Sequence, residues 1–89
     1  MPETREFTVK NKLGLHARAA AKLVKTTNNY KSEIFIEKNG QRVNAKSIMG
    51  VMMLAAAKGS ILKVEASGSD ELEALDDIGQ VIDGKFGED

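Results

Sequence analysis

Apolar and polar residues alternate in four stretches of the chain and recur at helical spacing in three others. Arg5-Glu6-Phe7-Thr8-Val9-Lys10 alternates, which predicts a strand with Phe7 and Val9 facing inward. From about Ala17 to Thr27 the period changes: Ala20, Leu23, Val24 and Thr27 share one face, while Lys22 and Lys25 point outward. Asn28-Asn29 supplies the stop. Glu33-Ile34-Phe35-Ile36-Glu37 predicts a second strand and Arg42-Val43-Asn44-Ala45 a short third one. Asn39-Gly40 between them suits the type I′ turn of a tight hairpin.

Ser47 is a suitable N-cap for a second helix over roughly Ile48–Ala57, with Lys58 in its last turn and Gly59 just beyond it. Ile61–Ala66 predicts a fourth strand with Leu62, Val64 and Ala66 buried. A third helix follows, capped by Ser69 or by Asp70 in a capping box with Glu73, and Leu72, Leu75, Ile78 and Ile82 line its inner side. The order β-α-β-β-α-β-α predicts an α+β fold with helices on one face of a mostly antiparallel sheet. Periodicity by itself favours a ferredoxin-like strand order, because the first six elements match that split βαβ pattern.

Eighty-nine residues predict a single domain, 1–89. The lack of cysteine rules out disulfides and thiolate metal sites, and a lone histidine argues against a transition-metal centre. No membrane-length apolar run and no signal-peptide pattern occur, which predicts a cytoplasmic protein without membrane insertion. The net charge of zero hides an asymmetry: residues 1–63 hold 12 Lys/Arg against 4 Asp/Glu, and residues 64–89 hold 1 against 9. The first part can attract an anionic group or an acidic partner. Three arginines and few aromatics make nucleic acid a poor fit.

The chemistry concentrates at Asn11-Lys12-Leu13-Gly14-Leu15-His16-Ala17-Arg18. A Gly-Leu turn feeds His16 into a helix N-terminus, where unpaired backbone N–H groups favour negative charge. Free imidazole titrates near ~6.5, so much of it is an unprotonated nucleophile at neutral pH. With the Arg18 guanidinium, that combination suits transient holding of a phosphoryl group, a reaction governed by positioning and charge stabilisation. The plain alternative is that His16 only caps the helix. A second constellation is Lys46-Ser47-Ile48-Met49-Gly50-Val51-Met52-Met53-Leu54, a helix apolar almost all round. Val51, Leu54 and Ala55 are assigned to the core, and Ile48, Met49 and Met52 to an adaptable docking patch. A phosphate on Ser47 would suit the helix N-terminus and spoil docking beside it.

Across nearly its whole length the chain resembles the HPr family, the histidine-containing phosphocarriers of the bacterial phosphoenolpyruvate-dependent phosphotransferase system. The resemblance rests on Leu13-Gly14-Leu15-His16-Ala17-Arg18, on Val43-Asn44-Ala45-Lys46-Ser47-Ile48-Met49-Gly50-Val51 and on Ala57-Lys58-Gly59-Ser60. Asn11-Lys12-Leu13-Gly14 and Phe86-Gly87-Glu88-Asp89 are similar to the nitrogen-branch paralogue, and Lys46-Ser47-Ile48-Met49-Gly50 to the sugar branch. The resemblance implies that His16 accepts phosphate at Nδ1 from enzyme I and passes it to a histidine of an enzyme IIA domain. It implies that Ala17 and Arg18 bind the phosphoryl group, and that Ser47 is the target of HPr kinase/phosphorylase. Leu15, Ile48, Met49 and Met52 would contact partners. No cofactor and no metal is expected, and a monomer is the default expectation. It further implies an open-faced β-sandwich of strand order 1-4-2-3, in place of the ferredoxin-like order. The family usually has proline after the arginine, where this chain has Ala19, which leaves the first helical turn less preorganised but adds an N–H near the anion.

Two other function classes remain open to the residues. One is a non-catalytic regulatory module binding through the Ile48–Met53 patch, or a nitrogen-branch carrier with mainly regulatory output. The other is a small ligand-binding domain whose histidine is structural.

Overall fold

The computed structural model describes residues 2–88. Strand β1 spans Glu3–Thr8, helix α1 Ala17–Thr27, β2 Glu33–Lys38, β3 Gln41–Asn44, α2 Ile48–Met53, β4 Ile61–Ser67 and α3 Glu71–Asp83, followed by a short 3-10 turn over Lys85–Gly87. The four strands form one antiparallel sheet in the order β1-β4-β2-β3. Strand β4 is therefore central, pairing Phe7 with Leu62 on one side and Ile36 with Val64 on the other. The open-faced order replaces the ferredoxin-like one for a reason visible in composition. Within Glu3–Thr8 only Phe7 is apolar, so β1 is suited to an edge, whereas Leu62, Val64 and Ala66 of β4 are fully buried.

The three helices cover one face, and the core lies between them and Ile34, Ile36, Leu62, Val64 and Ala66. Ala20, Leu23, Val24 and Thr27 of α1 are buried as the period predicts, and Ala19 joins them. The other face of the sheet is uncovered. There the Arg42 guanidinium lies 4.3 Å over the Phe35 ring and pairs with Glu65 at 3.0 Å. The β2–β3 turn has positive φ at Asn39 (51°) and Gly40 (85°), as a type I′ turn requires.

Four expectations are corrected. Helix α2 ends at Met53, four residues early, because Ala55 turns left-handed (φ 48°) and leaves its side chain exposed. The Ala56 carbonyl beyond it then accepts from the loop before α1. Lys38 Nζ donates to the Leu54 carbonyl at 3.0 Å, satisfying one end group of the shortened helix. The capping box of α3 does not form: the Asp70 carboxylate instead accepts from the backbone N–H groups of Lys31 and Ser32 and from Ser32 Oγ. Leu72 is exposed, and the inner face of α3 is made by Ala74, Leu75, Ile78, Gly79 and Ile82. Gly79 is there because Phe7 packs on its backbone, leaving 2.8 Å between its ring and any added Cβ. Tyr30 reaches α3 from the loop after α1. Its hydroxyl donates to Asp77, which, with burial second, pushes the phenol up to about 12.

Candidate phosphoryl-acceptor site

Gly14 makes the geometry of the site possible. Its φ is +67°, and a Cβ there would lie 2.2 Å from the Ala56 carbonyl oxygen. Only glycine allows that approach, which lets Leu15 N–H donate to the same carbonyl at 2.9 Å. The turn is tied again by Asn11, whose Nδ2 donates to Gly14 O at 2.8 Å. His16 therefore emerges as the N-cap of α1, with extended backbone (φ −73°, ψ 178°) and its carbonyl accepting from Ala20 N–H.

The His16 side chain makes no cap hydrogen bond, and no acidic residue occupies the first turn of α1. The N–H groups of Ala17, Arg18 and Ala19 thus have no intrahelical acceptor, and the helix dipole at that end is uncompensated from within α1. Arg18 is exposed and forms no ion pair among the described residues. The imidazole itself is partly open, with 27% of its side chain exposed. Leu15, expected on the partner-binding surface, is only 4% exposed and belongs to the core, because the Leu15–Ala56 bond turns it inward. The exposed leucine of this loop is Leu13.

One participant is absent from the sequence reading of the site. Glu88 Oε2 lies 2.5 Å from His16 Nε2, and its Oε1 accepts from Asn11 Nδ2 at 3.0 Å. The Asn11 hydrogen bond first, then His16 and the nearby Arg18 charge, hold the Glu88 carboxyl below the usual carboxylate range against the opposing cost of desolvation. The chain reaches His16 through three successive left-handed residues, Lys85 (φ 58°), Phe86 (φ 55°) and Gly87 (φ 76°), anchored by the buried Phe86 ring. A non-glycine residue in that region costs about 1–2 kcal/mol, so the return turn is maintained by the contacts at its end. The only sequence signal for it was the Phe-Gly-Glu tail. Nothing in its spacing points to His16.

The second constellation lies on α2. Ser47 Oγ accepts from Gly50 N–H at 3.0 Å, a true N-cap, and the turn before it is set by Asn44 Oδ1 accepting from Lys46 N–H. Val51 and Leu54 are buried, whereas Ile48, Met49, Met52 and Met53 are exposed, Met49 at 75%.

Residues 3–83 match the family model described as the PTS HPr component phosphorylation site. The chain belongs to the HPr family. It is 55% identical over 78 residues to the phosphocarrier protein HPr of Neisseria meningitidis serogroup A, covering 88% of each chain. It is 46% identical over 74 residues to the HPr-like protein Crh of Bacillus subtilis, covering 83% of this chain and 87% of Crh. Among solved structures, HPr-C-His from Thermoanaerobacter tengcongensis superposes with a TM-score of 0.94 at 45% identity, covering 98% of both chains. The fold and family implied by the two sequence motifs are those of an HPr phosphocarrier of the phosphotransferase system. Among the described residues, no helix is long and apolar enough to cross a membrane.

Proposed function

We propose that this HPr-family chain accepts a phosphoryl group from phospho-enzyme I on His16 Nδ1 and passes it to a histidine of an enzyme IIA domain. The observation that carries the reading is the half-open imidazole at a helix N-terminus with no acidic first turn, its Nε2 already engaged by Glu88. Of the two ring nitrogens, Nδ1 is then the one left to act as nucleophile. Its lone pair forms the new N–P bond while the P–N bond of the donor histidine breaks, and the electron pair leaves with the donor ring. The free N–H groups of α1 and the Arg18 guanidinium supply positive potential for the transferred oxygens. Ala17 and Ala19 contribute through their backbone, and Ala19 adds an N–H that a proline there would lack.

Phosphorylation of Ser47 by an HPr kinase/phosphorylase is proposed as a switch on docking through Ile48, Met49 and Met52, in a monomeric carrier. A dianion at that cap leaves the helix intact while placing charge beside the apolar patch. The likeness to Crh keeps a regulatory module acting through the same patch as the second reading. Incubation with labelled phosphoenolpyruvate and enzyme I tests the first. Wild type should acquire acid-labile, alkali-stable phosphate and His16→Ala none; equal labelling of both would overturn the assignment. If the regulatory reading holds instead, partner binding survives His16→Ala without any transfer.

A further inference from the structure

The carboxylate of Glu88 accepts only, so at 2.5 Å from His16 Nε2 it requires a proton on that nitrogen. Its other oxygen is held by Asn11, a fully buried side chain whose Nδ2 also donates to Gly14 O within the loop that presents the histidine. Asn11, Glu88 and His16 thus form a chain of hydrogen bonds running from the rigid Gly14 turn to the ring edge opposite Nδ1. A left-handed return of the backbone over Lys85–Gly87 brings Glu88 there, across 72 positions of sequence. Among the described residues, no other cluster combines an ionisable ring, a carboxylate and a buried amide.

We propose that Glu88 is a positioning residue for phosphoryl transfer: it locks His16 in the Nε2–H tautomer and balances the ring's charge while phosphate is on Nδ1. The inference rests on the phosphocarrier reading. As the N–P bond forms at Nδ1, the ring becomes cationic with its Nε2 proton in place, and Glu88 faces that charge. On discharge the N–P electron pair returns to Nδ1. No proton has to cross the ring in either direction. Asn11 sets the orientation of the carboxylate and makes Glu88→Gln a sharper test than deletion. Since Asn11 Nδ2 needs an acceptor, the glutamine oxygen turns toward it and the amide NH2 toward Nε2. That arrangement favours the opposite, Nδ1–H tautomer, in which the nucleophilic nitrogen is blocked.

The experiment is nitrogen-15 NMR of the His16 ring in the full chain, at a pH where the ring nitrogen shifts themselves show the neutral form. Wild type, Glu88→Ala and Glu88→Gln are compared, each confirmed as folded by its amide spectrum, alongside transfer kinetics with enzyme I. Wild type should be almost wholly Nε2–H, Glu88→Ala a mixture, and Glu88→Gln predominantly Nδ1–H. The transfer rate constant should fall about tenfold in Glu88→Ala and further, toward about 100-fold, in Glu88→Gln, with KM changed less than the rate. The same tautomer population in all three proteins overturns the proposal, as do tautomers that shift while the rates stay equal. Failure of wild type to take up phosphate on His16 overturns the phosphocarrier reading instead, and the ring measurement on unphosphorylated protein is unaffected by it.

Discussion

A methyl group added at Gly14 would meet the Ala56 carbonyl at 2.2 Å in a backbone conformation that side chains already resist. Either the loop or the segment after α2 must move, and the Leu15–Ala56 bond breaks. Gly14→Ala should therefore cost about 2–4 kcal/mol in urea unfolding. Displacement of His16 by about an ångström should lower phosphoryl transfer about 10–100-fold. A variant with wild-type stability would show that the turn is not what fixes the histidine. At this scale the sequence singles out Gly14, His16, Arg18 and Ser47 by residue type and spacing. Leu15 was misplaced, because a short loop carries no period from which to tell its two faces apart. Glu88 was missed because its partner lies 72 positions away and the turn that brings it back leaves no hydrophobic pattern.

Helix α2 has six residues, too few to be stable by propensity, so its cap matters more than in a longer helix. Removing the Ser47 Oγ acceptor in Ser47→Ala should cost about 1 kcal/mol, while Ser47→Asp, still able to accept from Gly50 N–H, should stay within about 0.5 kcal/mol of wild type. Thermal unfolding of the pair checks this, and an equal loss in both would exclude the cap as the cause. At the start of α3, Asp70 is held low first by the Ser32 hydroxyl and then by the backbone N–H groups of Lys31 and Ser32. A carboxyl with a lower folded than unfolded pKa stabilises the fold above its ordinary value of about 3.9, and that contribution disappears as pH falls through the folded value. The urea midpoint of wild type should thus decline below about pH 4, and Asp70→Asn should decline less steeply over the same window. Identical slopes would mean that Asp70 is not linked to folding. Element type was legible throughout, since long periodic stretches announce themselves. The end of α2 was not, because Ala55 adopts left-handed backbone only where the Gly14 loop packs against its neighbour.

Across the whole molecule, the uncovered side of α2 is a surface without a structural task. Met52 is partly exposed and outside the buried cluster. Met52→Glu should leave stability within about 1 kcal/mol of wild type, as surface changes do. If α2 docks phosphotransferase partners, the same change should raise KM for enzyme I at least about tenfold, the loss expected of a central interface residue. An unchanged KM would remove Met52 from the docking surface. The basic first part and acidic last helix also meet in this fold, through Arg5–Asp76 and Lys10–Asp83. Part of the charge asymmetry is therefore spent internally, and Arg18 is left outside those pairs.

The sequence by itself determined the type and order of the secondary elements, the buried faces of β2, β4 and α1, the Asn-Gly hairpin and the residue types gathered at the histidine. Each of these depends on neighbours within a few positions, where backbone preference and side-chain period act directly. Only tertiary structure decided that β4 sits between β1 and β2, that α2 stops at Met53, and that Asn11 and Glu88 join His16. Those outcomes depend on which distant surfaces close on one another, and chain closure selects among arrangements that local preference leaves equal.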